Sequence, residues 1–293
     1  MAQSSPKSVS VFAPAKINLY LHVTGKRADG FHLLDSLICF ADYGDQITAQ
    51  PADELSLTID GPFSKGLSTG RDNLVLKTAV LLAALADIDA KAEILLTKNL
   101  PIASGIGGGS ADAAAALHAL AELWGISPTT EDLLSLAEKL GADVPVCVLG
   151  SPCFISSIGE VLTPAPALPS CWLVLVNPNA PVSTPEVFAK RNAAFSPAQP
   201  FDLAPASFEE FADLLSRRNN DLTPPALTIA PVIQDVLAAL DAQPGQSLTR
   251  LSGSGATCFG LFPSEKAANS AATALEIAHP RWWVKSAALR VKS

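Results

Sequence analysis

The sequence predicts a two-domain α+β protein, and three observations carry that reading. Strand-like and helical segments alternate along the whole chain with no fixed repeat, and some strand segments are spaced closely enough for antiparallel hairpins. A glycine-rich stretch, Pro101 to Ala116, lies between a strand pattern and a helix pattern. At 293 residues, 48% hydrophobic and 16% charged, the chain has enough apolar material for one large domain or two ordinary ones. Ser151-Pro152 and the proline-rich run Thr163 to Pro169 mark a boundary, dividing the chain into 1–155 and 156–293.

From Val9 to Val23 the residues favour β structure, with Pro14 marking a bulge or break between two short strands. After that break Ile17, Leu19, Leu21 and Val23 share one face, and Lys16, Asn18, Tyr20 and His22 share the other, because side chains alternate along a strand. A turn at Gly25 to Gly30 leads to a strand at His32 to Asp42, then to hairpin strands at Gln46 to Ala49 and Leu55 to Ile59. Apolar period predicts a helix at Leu74 to Leu85, a strand at Ala92 to Thr97, a helix after the glycine run, and a helix at Glu131 to Leu140 ended by a left-handed Gly141. Val144 to Leu149 reads as a strand. In the second half we expect strands at Trp172 to Val176, Ser247 to Leu251, Thr257 to Phe262 and Trp282 to Ala288. Helices are expected at Phe208 to Arg217, Pro231 to Ala242 and Glu265 to Ile277, with a surface loop at Ala193 to Ala206.

Composition excludes several functions. A net charge of −8 opposes general affinity for nucleic acid or an anionic membrane. No apolar run reaches the ~18 residues of a membrane span, and the longest, Ala79 to Ala90, contains Asp87 and Asp89. The N-terminal MAQSSPKSVSVFAP has no signal-peptide core, which points to the cytoplasm. Five cysteines with no CxxC pair read as reduced, buried thiols rather than a disulfide framework or zinc site. Oligomeric state is not encoded in any pattern of the chain.

The glycine run has the chemistry of an anion site. Gly105, Gly107, Gly108 and Gly109 let the backbone approach a ligand closely, and the first turn of the following helix offers unpaired N–H groups, so phosphate is the expected ligand. A Walker A loop would need lysine after Gly109, where Ser110 stands, and a dinucleotide fingerprint would need glycine there. A flexible linker is opposed by the helix formers that follow. Three other features are weak alone: Asp143 in the turn GADVP, a second Gly/Ser turn LSGSGAT at Leu251 to Thr257, and His32 in DGFH.

Taken in order, PAKINLYL, DGFH, PIASGIGGGSADAAA, GADVP and LSGSGAT resemble the GHMP kinases, over a span from Ala13 to Phe262. The resemblance implies a ribosomal-protein-like α+β N-terminal domain and a ferredoxin-like C-terminal domain. It also implies ATP-dependent phosphorylation of a small alcohol, the 2-hydroxyl of 4-diphosphocytidyl-2-C-methyl-D-erythritol of the non-mevalonate isoprenoid pathway. On that likeness Pro101, Ile102, Ala103, Ser104, Gly105, Ile106, Gly107, Gly108, Gly109, Ser110 and Ala111 wrap the ATP phosphates, and Lys16 and Asp143 match the catalytic pair. Asp143 would take the hydroxyl proton while Lys16 keeps it ionised and stabilises the transferred group. Asn18 would orient the substrate, and Phe31, Phe188 and His32 match a stacked cytosine site. Family members often carry tyrosine where this chain has Phe31, so the stacking face is kept and the hydroxyl lost. Mg²⁺ is expected with ATP, and no protein metal ligand is assigned. A kinase of homoserine, mevalonate or a sugar, disfavoured by DGFH, and a non-catalytic nucleotide module, disfavoured by Lys16 and Asp143, are the alternatives.

Overall fold

The computed structural model describes residues 8–291. Residues 1–7, part of the stretch read for a targeting signal, lie outside the described residues. The chain forms two compact units that interleave along the sequence. The first takes the described residues up to Ala15, Gly44–Leu100 and Gly108–Leu149; the second takes Lys16–Tyr43, Pro101–Gly107 and the chain from Gly150 onward.

Strands β1 (Val9–Lys26) and β2 (His32–Gln50) pair with each other, and each contributes to both units. β1 is one strand through Pro14, so of the expected bulge or break the break does not occur. Proline withholds one N–H from a ladder without obliging the strand to end. β2 is likewise one strand where two were expected. Gly44 permits its passage, since a Cβ there would fall 2.1 Å from the Ala13 carbonyl oxygen.

In the first unit β3 (Ser56–Asp60) leads to helix α1 (Leu74–Leu85), capped by Asn73, whose side chain accepts the Val75 N–H at 2.9 Å. β4 (Glu93–Thr97) then inserts between its partners, antiparallel to residues 46–50 of β2 and parallel to β3. The expected hairpin between Gln46–Ala49 and Leu55–Ile59 therefore does not form. α2 (Gly108–Trp124) begins inside the glycine run, and α3 (Thr130–Leu140) starts with a reciprocal cap between Thr129 and Asp132. Gly141 ends α3 at φ 157° and ψ 158°, a glycine conformation other than the expected left-handed helical one. Val144–Leu149 is a helix, α4, rather than a strand. A six-residue apolar run carries no period that separates the two, and Pro145 sits in the first turn, where its missing N–H has no helical partner to lose.

The second unit continues with the hairpin β5 (Cys153–Ser157) and β6 (Val161–Pro164), which the sequence reading missed under its proline content. β5 pairs with residues 34–38 of β2. Then come β7 (Trp172–Asn177), α5 (Thr184–Lys190), α6 (Phe208–Ser216), α7 (Thr223–Ile229), α8 (Val232–Asp241), β8 (Leu248–Leu251), β9 (Cys258–Phe262), α9 (Glu265–Ala278) and β10 (Trp283–Arg290). The four strands run β10-β7-β9-β8, antiparallel at every step. Val174, Val176, Ile233, Leu240, Leu251, Phe262 and Leu275 belong to one apolar core. Helices α5 and α7 were not expected, because both are short and open on proline. All five cysteines are buried and none forms a disulfide, and burial raises the Cys39 thiol well above its usual range.

The first unit also holds a buried charge cluster. Lys98, directly after β4, places Nζ 2.5 Å from Asp45 Oδ2 and 2.6 Å from Asp112 Oδ2, and all three side chains are almost wholly enclosed. Asp45 Oδ1 accepts the N–H groups of Asn99 and Leu100 at 2.5 and 2.8 Å. Asp112 Oδ1 has no partner. Burial pushes the Asp112 carboxyl up to about 8, with Lys98 acting in the opposite direction and Asp45 adding to the rise. Between about pH 4 and pH 8 the folded protein thus holds a proton that the unfolded chain releases, so this group's stability is present in acid and lost as pH rises through 8. Lys98→Met is expected to cost about 3–5 kcal/mol by leaving buried carboxyls without their cation. Asp112→Asn should be at least as stable as the parent at pH 9, with the difference closing toward pH 6. Thermal unfolding across that range checks both, and a parent more stable than Asp112→Asn at pH 9 would contradict the protonation assignment.

Candidate active site

The glycine loop is built by two turns pressed backbone to backbone. Gly105, at φ 74°, lies against the LSGSGAT turn so closely that a Cβ would fall 2.5 Å from the Ser252 carbonyl oxygen and 2.7 Å from the Gly255 nitrogen. The Ser252 hydroxyl donates to the Gly105 carbonyl at 3.1 Å, and Thr257 N–H donates to the Ser104 carbonyl at 3.1 Å. Ser104 in turn closes the loop onto the Pro101 carbonyl at 2.6 Å. Pro101, Ser104 and Ile106 are buried supports, while Ile102, Ala103 and Gly109 are exposed and Gly105, Gly107, Gly108 and Ser110 are half-buried. Gly108, Gly109, Ser110 and Ala111 form the first turn of α2, where backbone N–H groups have no helical acceptor. The LSGSGAT turn is itself anchored. Asn220 Nδ2 donates to the carbonyls of Leu251 and Gly253, Asn177 holds Thr257, and Thr184 meets Ser254 at 2.7 Å.

Lys16 stands beside this loop. Its N–H donates to the Ile106 carbonyl at 2.9 Å, and a Cβ at Gly107, where φ is 63°, would fall 3.0 Å from Lys16 Cε. The polar face of β1 is not solvated: Lys16, Asn18, Tyr20 and His22 are each at most 4% exposed. Lys16 Nζ donates to Asn18 Oδ1 at 2.9 Å, Asn18 Nδ2 donates to Ser36 Oγ at 2.8 Å, and Tyr20 Oη donates to Asp35 at 2.9 Å. The backbone of the same strand is tied by Ser252, which accepts Asn18 N–H, and by Arg250, whose Nη1 donates to the Leu19 carbonyl at 2.7 Å. Burial, with Arg218 adding to it, lowers the Arg250 guanidinium to about 10.

Asp143 is half-buried in the turn between α3 and α4, and its carbonyl accepts the Cys147 N–H at 3.4 Å. Asp143 belongs to the first unit and Lys16 to the second. The three residues matched to base recognition all lie in the second unit. Phe31 is 60% exposed, whereas His32 stacks on Phe188 at 5.0 Å and 27°, so one face of Phe188 meets the imidazole and the ring also packs against the core. Burial, with the positive charges of Lys26 and Arg191, lowers His32 below its ordinary 6.5, leaving a neutral ring with one donor and one acceptor at neutral pH. Sequence reasoning missed Ser36, Arg250, Asn220 and the supporting role of Ser252. Only Ser252 carried a signal, in its glycine-flanked turn.

Two family models match the chain: GHMP kinases N terminal domain over residues 73–151 and GHMP kinases C terminal over residues 203–281. A 4-diphosphocytidyl-2-C-methyl-D-erythritol kinase from Paramagnetospirillum magneticum is 53% identical over 282 residues, spanning 96% of this chain and 99% of that protein. The chain belongs to the 4-diphosphocytidyl-2-C-methyl-D-erythritol kinase family of GHMP kinases. Its relative from Rhodospirillum rubrum is 49% identical over 279 residues, covering 95% of this chain and 92% of the relative. The crystal structure of a 4-(cytidine 5'-diphospho)-2C-methyl-D-erythritol kinase has a TM-score of 0.79 at 34% identity, with 96% and 98% of the two chains covered. A homoserine kinase from Cytophaga hutchinsonii, at TM-score 0.72 and 21% identity over 99% of this chain and 97% of that one, shares the fold. The expected two-domain α+β kinase fold is thereby established for this member of the family.

Two glycine substitutions separate cradle from scaffold. Gly107→Val should raise the ATP Kd at least about tenfold and lower Tm moderately, because the new side chain crowds the Lys16 side chain and the left-handed φ strains a β-branched residue. Gly105→Ala should lower Tm much more, since its Cβ meets rigid backbone. Nucleotide titration beside thermal melts distinguishes the two, and unchanged ATP affinity in Gly107→Val would refute the cradle.

Proposed function

We propose that this chain transfers the γ-phosphoryl group of ATP to the 2-hydroxyl of 4-diphosphocytidyl-2-C-methyl-D-erythritol, a cytoplasmic step of non-mevalonate isoprenoid synthesis. The observation that carries the proposal is the seating of a phosphate-type glycine loop on the strand that bears Lys16 and Asn18, in a chain 53% identical over 96% of its length to a kinase named for that substrate.

The loop fits a polyphosphate: half-buried glycines and the first turn of α2 supply N–H donors, and the side chain beside Gly107 is that of a lysine. ATP supplies the phosphoryl group, and Mg²⁺ bound with it offsets the phosphate charge. Asp112 accepts from Lys98 through Oδ2 and keeps its proton through neutral pH, so the metal is assigned no ligand there. Asp143 accepts the substrate hydroxyl's proton, and Lys16 stabilises charge on the transferred group. Asn18 serves this chemistry through Lys16, to which its amide oxygen is bonded. Neutral His32 reads the pyrimidine edge with one donor and one acceptor, a pattern that suits cytosine, and Phe31 and Phe188 supply aromatic surface.

Asp143→Asn is isosteric but cannot take the proton, and should lose about 10²–10⁴-fold in kcat while folding and binding ATP normally. Near-normal turnover would remove Asp143 as base. Phe31→Ala and Phe188→Ala should each raise KM for the cytidine substrate by about 5- to 150-fold without altering ATP affinity. His32→Ala should narrow the preference over a uridine analogue. Because the His32 pKa lies below 6.5, the parent's KM should stay level through neutral pH and rise only in more acid solution, a rise absent from His32→Ala. Steady-state kinetics of these variants decides the assignment, and equal turnover of homoserine or mevalonate by the parent would reduce it to a small-molecule kinase.

A further inference from the structure

Ser36 lies on β2, outside every motif of the sequence, with no exposed surface. Its hydroxyl meets two groups, the Tyr20 carbonyl oxygen and the Asn18 side-chain amide. Hydrogen-bond polarity along this line follows from the chemistry of the atoms. A carbonyl oxygen only accepts, so the single Ser36 proton is directed to Tyr20. The Ser36 oxygen is then left as an acceptor and selects the NH₂ end of the Asn18 amide, at 2.8 Å. The opposite end of that amide, Oδ1, is thereby turned to Lys16 Nζ at 2.9 Å, and an ammonium group only donates. Were the amide reversed, its NH₂ would face the ammonium and its oxygen would face a hydroxyl whose proton is used.

We propose that Ser36 is a positioning residue for phosphoryl transfer: its hydroxyl sets the direction of the Asn18 amide, and the amide sets where the Lys16 ammonium points. The assignment rests on the role given to Lys16 under the kinase reading. None of the groups in the line other than Lys16 needs to touch substrate, and the Tyr20 carbonyl is a backbone atom of a strand buried on both faces.

The test combines kinetics with a measurement that needs no substrate. Ser36→Ala should lower kcat about tenfold, the scale of one buried hydrogen bond, while KM for ATP stays within about twofold. In an Asn18→Ala background the same change should cost nothing further, because the effect passes through that amide. Ser36→Thr should restore turnover, and Ser36→Val, of Thr's shape without its hydroxyl, should not; this pair carries the test if the alanine variant fails to fold. In the ligand-free protein the Lys16 ammonium ¹⁵N signal, assigned by its loss in Lys16→Met, should shift in Ser36→Ala and return in Ser36→Thr. An unmoved Lys16 signal, or full additivity of the Ser36 and Asn18 changes, overturns the relay. Absence of turnover in the parent overturns the kinase reading instead, and the Lys16 signal still decides the relay.

Discussion

Burial of β1 on both faces is the constraint from which the site follows. An amphipathic strand at the surface would leave Lys16, Asn18, Tyr20 and His22 to water, but here each is enclosed, and an enclosed polar group without a partner is costly. Each therefore takes a directed bond to protein: Lys16 to Asn18, Asn18 to Ser36, Tyr20 to Asp35, His22 Nε2 to the Asn219 N–H. The backbone of the strand is treated in the same way, with Ser252, Arg250, Asn219 and Asp221 filling positions that a neighbouring strand would otherwise occupy. A side chain held by such a line has few orientations open to it, which is the preorganisation that the proposed role of Lys16 in phosphoryl transfer requires.

The glycine loop meets a different demand. The proposed phosphate ligand would approach backbone atoms, and a loop open to it cannot be held by large side chains packed around it. Support comes from behind, through contact of the Gly105 backbone with the Ser252–Gly255 turn at separations that exclude a Cβ. Glycine thus has two uses within a few residues: Gly105 admits a supporting turn, and Gly107 leaves space beside Lys16. The buried Lys98 cluster secures the segments on either side of the loop in sequence, with Asp45 holding residues 99 and 100 and Asp112 reaching Lys98 from the second turn of α2.

The fold was legible from sequence where a segment is long and periodic or bears a cap. α1 and the Gly141 end of α3 stand where pattern placed them, because a twelve-residue apolar period and a glycine stop are local signals. Legibility failed for VPVCVL, for the proline-opened helices α5 and α7, and for the β5–β6 hairpin. In each, the element is too short for its period to be read, and tertiary packing rather than intrinsic preference decides its state.

For the site, sequence by itself determined the order of the motifs and membership of a kinase family, and the proposal of an anion site at residues 101–111 starts from it, because glycine spacing and helix-forming alanines have local consequences. It also named Lys16, Asp143 and His32 as residues able to carry charge or protons. Tertiary structure alone decided which partners direct them. Ser36 is an ordinary serine in an apolar strand, and Arg250 an ordinary arginine, until folding sets one beside Asn18 and the other beside the Leu19 carbonyl. Hydrogen-bond direction depends on which atoms meet across 18 or 231 positions of chain, and no local propensity encodes such a meeting.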